Sequence, residues 1–319
     1  MTTLGRIVVA VGVAAVLVAG VLIGAHYLSK PDTAPPLPKP PIEIETPSPS
    51  AAAPAVPGPA TPPPATSPAS PGTAAAPVVA AATEAAADEG LAMVRDRPVQ
   101  AQKRLSEALR TGVDGTKGKA VRDALVALAD KIQLGSQRVP DDPYEKTYQA
   151  VSGDSLIGIG KRHLVPFEFI MRVNRMGAPN ITAGQQVKVI QGPVHIEIHK
   201  AKKELQAWLG DVCLRVYPIA LGASNKTPEG TFVVKSKLRN PPYQPQHKTK
   251  ADFKAPGAPD NPLGSRWIDI GNHYGIHGTI DPTSIGREVS EGCIRMHNKD
   301  VEELFDMVVT GASKVTIKP

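Results

Sequence analysis

The residues whose types could do chemistry lie close together near the C-terminus of this chain. His277 and Cys293, the latter one of two cysteines in 319 residues, stand 16 positions apart in a segment rich in glycine. A thiol attacks strongly only as a thiolate, and a neighbouring imidazole can accept its proton and hold the charge as an ion pair. The residue types and their spacing therefore predict a Cys-His active site.

The cysteine stands in a predicted tight turn, SEGC at 290–293. Gly292 has no Cβ, so its backbone can lie close to a substrate and can adopt conformations that other residues avoid. The backbone amides of Gly292 and Cys293 are candidates for binding a developing oxyanion. Ser290 is expected to fix the turn or to help orient His277.

This region resembles a known enzyme family. Residues 274–296, which run from YGIHGT to SEGCIRM, are similar to the catalytic signature of the L,D-transpeptidases of the YkuD family. The upstream runs PIALG at 218–222 and TPEGTF at 227–232 resemble a strand and a turn of the same family, and the resemblance covers roughly 194–319. Glu291 departs from the histidine or serine that many members carry, which bears on substrate contacts rather than on the chemistry.

The resemblance implies an enzyme that cross-links peptidoglycan. Cys293 would attack a tetrapeptide stem, release D-alanine and form an acyl-enzyme, and His277 would carry the proton. Arg295, Gly278 and Tyr274 would contribute to substrate binding. Arg295 either holds the carboxylate of the donor or pairs an acid within the protein. The implied reaction needs no metal and no organic cofactor.

Other functions remain open on the sequence alone. Water as the acceptor would make the protein an L,D-carboxypeptidase or a cysteine peptidase. A protein lysine as the acceptor would attach a protein to the wall by the same Cys-His chemistry. A non-catalytic wall-binding tether is a further alternative, although such a protein does not need both His277 and Cys293.

A second motif precedes this domain. Residues 148–191, with VSGDSL near the start and ITAGQQV near the end, resemble a LysM module with a strand, two helices and a closing strand. The resemblance implies a groove for N-acetylglucosamine-containing glycans. The residues expected to flank that groove are Gly153, Asp154, Ser155, Leu156, Asn180 and Ile181. The alternative for the polar positions and the glycines is that they only build turns and helix caps.

The N-terminus predicts a membrane anchor over residues 1–30. Residues 7–28 carry no acid and no base other than His26, and as a helix they would be roughly 30 Å long, which matches the hydrocarbon core of a bilayer. A cleaved signal peptide is the alternative. Arg6 on the short side places the remaining chain outside the cytoplasm, so we expect a single-pass protein of the cell envelope that faces the periplasmic side.

Two segments separate the anchor from the modules. Residues 31–83 hold about half of the 33 prolines and few large apolar side chains, which predicts a disordered linker. Residues 84–140 carry apolar residues at helical spacing interrupted by glycines, which predicts a helical spacer of two or three helices.

The complete chain is therefore predicted to be a multidomain protein. Its parts are the anchor, the linker, the spacer, a small α+β LysM module at 145–192 with the order βααβ, and a mainly-β catalytic domain at 194–319. The net charge of +6 is scattered along the sequence, which argues against a nucleic-acid partner. Peptidoglycan stem peptides and glycan strands, and on one alternative a wall-attached protein, are the expected partners.

Five further predictions concern the catalytic domain. Cys213 is expected to be a buried, free thiol on a strand, and His195 and His199 are expected to share a strand without forming a metal site. Residues 238–262 should form a functional loop over the site. Residues 301–309 should form a helix that is capped by Asn298. His273 is expected to be a bystander.

Overall fold

The computed structural model of the protein describes residues 75–244 and 252–319. The predicted membrane anchor at 1–30 and most of the predicted linker lie outside these residues. Within the described ranges, no helix has both the length and the apolar character needed to cross a membrane.

Three helices open the described chain. They are α1 (Ala75–Met93), α2 (Pro98–Thr111) and α3 (Gly115–Ile132). The first begins at Ala75 rather than near Glu84, because the end of the predicted linker is rich in alanine, the strongest helix former. Gly112, at a φ of 101°, takes the left-handed conformation that ends α2.

The three helices pack against the rest of the protein instead of standing apart as a spacer. Their buried face includes Leu105, Leu125 and Leu128, and it covers Trp208 and Cys213, which are 2% and 0% exposed. An amphipathic helical hairpin must bury its apolar stripe against another layer, and here that layer is a β-sheet.

The next elements show the predicted strand, two helices and strand of the LysM module. They are β1 (Glu145–Gln149), α4 (Leu156–His163), α5 (Phe167–Val173) and β2 (Gln186–Ile190). The two strands pair antiparallel, with Glu145 opposite Ile190. The side chain of Ser155 caps α4 by accepting a 3.1 Å hydrogen bond from the amide of Gly158.

The remaining chain is mainly β, as predicted. Its strands are β3 (Val194–His199), β4 (Glu204–Leu209), β5 (Val212–Pro218), β6 (Leu221–Gly222), β7 (Gly230–Val233), β8 (Ser236–Arg239), β9 (Arg266–Gly271), β10 (Tyr274–His277), β11 (Glu288–Ser290), β12 (Ile294–Arg295) and β13 (Lys314–Lys318).

These strands form three sheets. The five-stranded sheet has the order β5-β4-β3-β13-β7, the four-stranded sheet has the order β12-β10-β9-β8, and β11 pairs with β6. The four-stranded sheet carries His277 on β10 and ends in β12, directly after Cys293. Its topology therefore places His277 on β10 and Cys293 directly before the neighbouring strand β12.

The last helix, α6 (Asn298–Met307), begins before the predicted start at Val301. Its N-cap residue is His297, and the predicted cap by Asn298 is wrong, because that side chain bonds the chain beyond His277 instead. The buried side chains of α6, which include Val301 and Leu304, belong to the same apolar core as Ile268 and Ile276 of the four-stranded sheet.

The other predictions for this domain have mixed outcomes. Cys213 is buried, both cysteines are free, and His195 and His199 lie on β3, as expected. In the predicted loop 238–262, the first two residues belong to β8 and residues 245–251 lie outside the described chain. The ends of the loop are fixed by a 2.7 Å hydrogen bond from the Asn261 side chain to the Pro241 carbonyl.

Candidate active site

The register of β10 and β12 places His277 beside the strand that follows Cys293. His277 lies opposite Arg295 in a parallel pair, so their side chains share a face. Cys293 lies directly before β12, two residues ahead of Arg295, and a backbone hydrogen bond from Gly275 on β10 reaches its thiol. Ile276 and Ile294 lie opposite each other on the other face, in the apolar core.

The imidazole of His277 is held in one tautomer. Its Nδ1 lies 2.7 Å from the carbonyl oxygen of Gly278, and a carbonyl can only accept a hydrogen bond. Nδ1 therefore carries the proton, as assigned from the hydrogen-bond network, and Nε2 carries the lone pair that a general base needs.

Trp267 and Asn298 support this histidine. Trp267 lies opposite His277 on β9 and stacks on its ring, with 5.7 Å between the ring centroids. Asn298 holds the chain just beyond the histidine, because its Oδ1 accepts a 3.1 Å hydrogen bond from the amide of Thr279 and its Nδ2 donates at 2.9 Å to the carbonyl of Thr279. A Cβ at Gly278 would lie 2.0 Å from Asn298 Oδ1, so this glycine is needed for close packing.

The turn that carries the cysteine is fixed by two hydroxyls. Ser290 Oγ donates a 2.6 Å hydrogen bond to the Cys293 carbonyl and accepts a 3.2 Å hydrogen bond from the Gly292 amide. Thr227 Oγ1 donates at 3.0 Å to the Gly292 carbonyl and accepts at 2.8 Å from the Gly222 amide. Ser290 therefore shapes the turn, and the Gly292 amide is already engaged, so the Cys293 amide is the remaining candidate of the predicted oxyanion pair.

Gly292 also satisfies a local requirement of the turn. Its φ of 129° is a conformation that L side chains rarely adopt, and a Cβ there would lie 2.6 Å from Cε1 of Tyr274. Tyr274 is half-buried and packs beside the turn rather than standing free in solvent. Any side chain at position 292 would displace this ring.

The electrostatics favour a neutral resting pair. The pKa of His277 is lowered to about 4, chiefly by burial and in smaller part by the charge of Arg295, and the hydrogen bond to Gly278 opposes the shift. Burial raises the pKa of the Cys293 thiol, while a backbone hydrogen bond from Gly275 and the charge of Arg295 oppose that rise and Glu291 adds to it. Both shifts disfavour the thiolate-imidazolium pair before substrate binds.

His273 was expected to be a bystander, but its backbone reaches the site. Its carbonyl oxygen lies 3.9 Å from Cys293 Sγ, the contact of a weak thiol hydrogen bond. The side chain of His273 itself is exposed. The residue has a φ of 64° in the tight turn between β9 and β10, so this turn faces the thiol with backbone rather than with the imidazole.

Arg295 forms no close ion pair among the described residues, although its charge contributes to the lowered pKa of Asp281. Its Nε is buried and has no hydrogen-bond partner in the described chain, whereas its backbone is fixed by two 2.9 Å hydrogen bonds with Ala220. Both interpretations of Arg295 therefore stay open, with Asp281 as the acid that its charge reaches.

The predicted glycan residues of the LysM module differ in their solvent exposure. Gly153 and Asn180 are exposed and Ile181 is half-buried, but the side chain of Leu156 is 1% exposed and lies in the core. Only the backbone of Leu156 can therefore flank the predicted groove, and its part in glycan binding stays a prediction. The exposed Ser155 side chain caps α4, as described above.

Asp154 also has an internal role. Its Oδ2 accepts hydrogen bonds from the hydroxyl of Tyr148 at 2.8 Å and from the amide of Val151 at 2.9 Å, and its Oδ1 accepts from Arg162 at 2.6 Å. These bonds lower the pKa of Asp154 to about 2. The carboxylate thus holds the turn in shape, and a glycan would meet the surface that it organises.

Comparison with known proteins agrees with this geometry. A model of the YkuD family, described as the L,D-transpeptidase catalytic domain, matches residues 193–317. The protein named "Putative L,D-transpeptidase YkuD" of Bacillus subtilis (strain 168) is 37% identical over 180 residues, which are 54% of this chain and 98% of that protein. The chain belongs to the YkuD family of L,D-transpeptidases.

Other relatives extend the comparison. "Putative L,D-transpeptidase YqjB" of the same strain is 40% identical over 129 residues, which are 38% of this chain and 70% of that protein. A solved L,D-transpeptidase from Mycobacterium smegmatis aligns with a TM-score of 0.33 at 18% identity, over 44% of this chain and 65% of that chain, just under two thirds of it.

The LysM family model matches residues 148–189 of this YkuD-family chain. Together the two family matches support peptidoglycan as the polymer that the protein works on and a role in the cell wall or envelope. Within the catalytic domain, the sequence motifs include the reactive residues and Thr227, but nothing in the sequence points to the ring stacking of Trp267 or to the tautomer set by Gly278.

Proposed function

We propose that this protein is a peptidoglycan L,D-transpeptidase that works through an acyl-enzyme on Cys293. The observation that carries the proposal is that His277 lies on β10 and Cys293 directly before the neighbouring strand β12, with Nδ1 of the histidine bonded to Gly278 so that Nε2 is free to accept a proton. The neutral pair in the resting state suits a general-base mechanism, in which the thiol loses its proton as it attacks.

The first half-reaction consumes a tetrapeptide stem. Nε2 of His277 accepts the thiol proton while Cys293 Sγ attacks the carbonyl between the third residue, a diamino acid, and the terminal D-alanine. The amide of Cys293 stabilises the oxyanion. When the intermediate collapses, the C–N bond breaks, His277 returns the proton to the leaving amine, and D-alanine departs from a thioester on Cys293.

The second half-reaction transfers the acyl group. The amine of another stem peptide attacks the thioester carbonyl, and His277 accepts the amine proton. The C–S bond then breaks, the sulfur recovers the proton, and an amide cross-link is formed. Water in place of the amine would give hydrolysis, and a protein lysine would give attachment of that protein to the wall.

Arg295 is proposed to bind the carboxylate of the terminal D-alanine. Its guanidinium has a planar fork of donors that matches a carboxylate, and its buried Nε has no hydrogen-bond partner among the described residues. The LysM module is proposed to bind glycan strands through the surface around Gly153 and Asn180. The membrane anchor over residues 1–30 stays a prediction, as does the linker that would let the enzyme work at a distance from the membrane.

The proposal is tested with the full chain and two disaccharide tetrapeptides that differ only in a free or amidated D-alanine carboxylate. The expected result is release of D-alanine and formation of a cross-linked dimer by the wild type and by Cys213→Ala, and no reaction by Cys293→Ala. Cys213 is a matched control because its thiol is fully buried. Arg295→Met should remove the preference for the free carboxylate, and a fully active Cys293→Ala would overturn the proposal.

A further inference from the structure

We infer that the LysM module is rigidly docked on the catalytic domain, and that Arg172, Lys188 and Glu303 are positioning residues that fix its glycan surface at one distance and direction from Cys293. The inference rests on the proposed function, because it concerns how a polymeric substrate is presented to the nucleophile. It begins from the side chains that cross between the three folded parts of residues 75–319.

Glu303 on α6 is the first of these side chains. Its carboxylate accepts hydrogen bonds from Arg215 Nε at 2.9 Å and from the hydroxyl of Tyr217 at 2.9 Å, both on β5. It also lies 3.1 Å from Nη2 of Arg172, which belongs to α5 of the LysM module. Arg215 reaches in turn to Asp130 on α3. One carboxylate with 16% of its side chain exposed therefore links the catalytic domain directly to the LysM module and, through Arg215, to the helices.

Lys188 makes the second link. It lies on β2 of the LysM module and is 1% exposed, although lysine is rarely buried without partners. Its Nζ donates to the carbonyls of Ile132, Gly135 and Gln137 at 2.5, 3.1 and 2.7 Å, at and just beyond the C-terminal end of α3. Its ion-pair partner is Glu145 at 3.0 Å. A buried cation that bonds the end of another helix fixes the module in a single orientation.

The chain that joins the module to the catalytic domain is short and packed. Residues 191–193 separate β2 from β3, and the amide of Gly192 donates a 2.9 Å hydrogen bond to the carbonyl of His163. A Cβ at Gly192 would lie 2.1 Å from the carbonyl oxygen of Leu164. A hinge at this place would require these contacts to break.

The apolar core continues across the same boundary. One cluster of buried side chains includes Ala129 of α3, Phe169 and Val189 of the module, and Val194 and Ile196 of β3. Swinging the module away would expose this cluster, and exposure costs roughly 25 cal/mol for each Å² of apolar surface. The module therefore behaves as part of the catalytic body and not as a tethered binding domain.

Rigid docking has a consequence for the reaction. A flexible tether raises the local concentration of substrate without selecting its orientation, whereas a fixed module presents stems at one offset from the bound glycan. The contacts described above come from α5 and β2, and the Tyr144 hydroxyl, just before β1, donates a 2.6 Å hydrogen bond to Asp211, while the proposed glycan surface lies on the turns around Gly153 and Asn180. Glycan binding and docking can therefore be altered separately.

The distance between the two sites is measured first. Spin labels are placed at the exposed positions Ser152→Cys and Lys235→Cys in the Cys293→Ala chain, where the buried Cys213 stays unlabelled. Electron-electron double resonance should show one narrow distance distribution, with and without soluble peptidoglycan fragments. A broad distribution in the free protein would overturn the inference.

The effect on the reaction is measured with a variant of the boundary. Two ion pairs cross the boundary: Glu168 lies 3.1 Å from Arg239 of β8, and Arg172 lies 3.1 Å from Glu303. The double variant Glu168→Lys with Arg172→Glu makes both contacts repulsive and keeps the net charge. Lys146→Glu is the control, since Lys146 is an exposed cation of the module away from that boundary. If the double variant keeps a narrow distance, ten glycine and serine residues inserted after Gln191 in the same variant are used instead.

The expected result is a loss of roughly tenfold in the rate on insoluble peptidoglycan, with wall binding and the rate on a soluble disaccharide tetrapeptide kept within about twofold. Lys146→Glu should change neither rate. A variant with a broadened distance distribution but an unchanged ratio between the rates on insoluble and on soluble substrate would overturn the inference of rigid docking and would leave the proposed function intact. Failure of the wild type to turn over the soluble donor would instead count against the proposed function.

Discussion

Thr227 and Gly292, 65 positions apart in the chain, are joined by a 3.0 Å hydrogen bond from the threonine hydroxyl to the glycine carbonyl. The same hydroxyl accepts from the amide of Gly222, so one side chain holds the cysteine turn against β6. A turn fixed from both sides keeps the nucleophile in a constant position relative to His277. Catalysis gains from such preorganisation, because reacting groups need not be aligned anew in each turnover.

Thr227→Val tests this role at nearly constant volume. The variant leaves a buried amide and a buried carbonyl without their partner, so the free energy of unfolding should fall by about 1 to 3 kcal/mol. Turnover of a soluble tetrapeptide should fall as well, because the turn is no longer fixed. Urea unfolding and steady-state kinetics measure the two effects. Thr227→Ser keeps the hydroxyl and should retain most of the stability and most of the turnover. A valine variant with the stability and the turnover of the wild type would show that the Thr227 hydroxyl does not fix the turn.

The buried histidine predicts a specific pH profile. With the pKa of His277 lowered to about 4, Nε2 is unprotonated at neutral pH and becomes protonated only as the pH falls through that value. The kcat/KM for a soluble tetrapeptide should therefore be constant down to about pH 5 and decline below it, because a protonated imidazole cannot accept the thiol proton. Loss of half the activity near pH 6.5, with the protein still folded by circular dichroism, would show an ordinary exposed histidine instead.

Gly275 explains how Trp267 can lie over the site. A Cβ at Gly275 would lie 2.5 Å from the indole ring, so Gly275→Ala must displace the ring that stacks on His277. The expected result is a fall of roughly tenfold or more in kcat/KM, since small displacements of a catalytic group are costly. Gly177→Ala is the matched control, because a Cβ there meets nothing within 4 Å. Equal kinetics for the two variants would remove any role for the stacked indole.

The N-terminal helices should stabilise the whole folded body. Leu105 is 0% exposed within the cluster that covers Trp208 and Cys213. Leu105→Ala should lower the free energy of unfolding by about 2 to 5 kcal/mol, the usual range for a buried leucine. Urea transitions followed by tryptophan fluorescence and by activity should shift together. Val79→Ala, at a position that is 53% exposed on the first helix, should leave them unchanged. If Leu105→Ala unfolds the helices while the urea transition followed by activity does not shift, the helices are an independent spacer.

The reactive residues and the order of the LysM elements could be predicted from the sequence, because short motifs encode turns, caps and nucleophiles locally. The packing of the helices on the sheet could not, since Arg215 meets Asp130 and Lys188 meets Ile132 across more than 50 positions of chain. The Asn298 side chain was misassigned for the same reason. Its position just before a helical pattern is typical of a cap, but the chain beyond His277 offers it better partners.

The glycan residues show a second limit of sequence reasoning. Asp154 and Ser155 match the motif, yet their side chains serve the turn and the helix end. Leu156 lies in the core. Polar residues in a binding loop often form hydrogen bonds within turns and helix caps. The sequence alone cannot distinguish such residues from those that contact a ligand.

The acyl-enzyme on Cys293 is tested most directly by intact-protein mass spectrometry. The full chain is mixed with a disaccharide tetrapeptide in the absence of an acceptor and quenched in acid at short times. The account predicts a covalent adduct with the mass of the donor less D-alanine, present in the wild type and in Cys213→Ala and absent in Cys293→Ala. A folded wild type with free thiols that releases D-alanine without any such adduct, or an adduct that persists in Cys293→Ala, would contradict it.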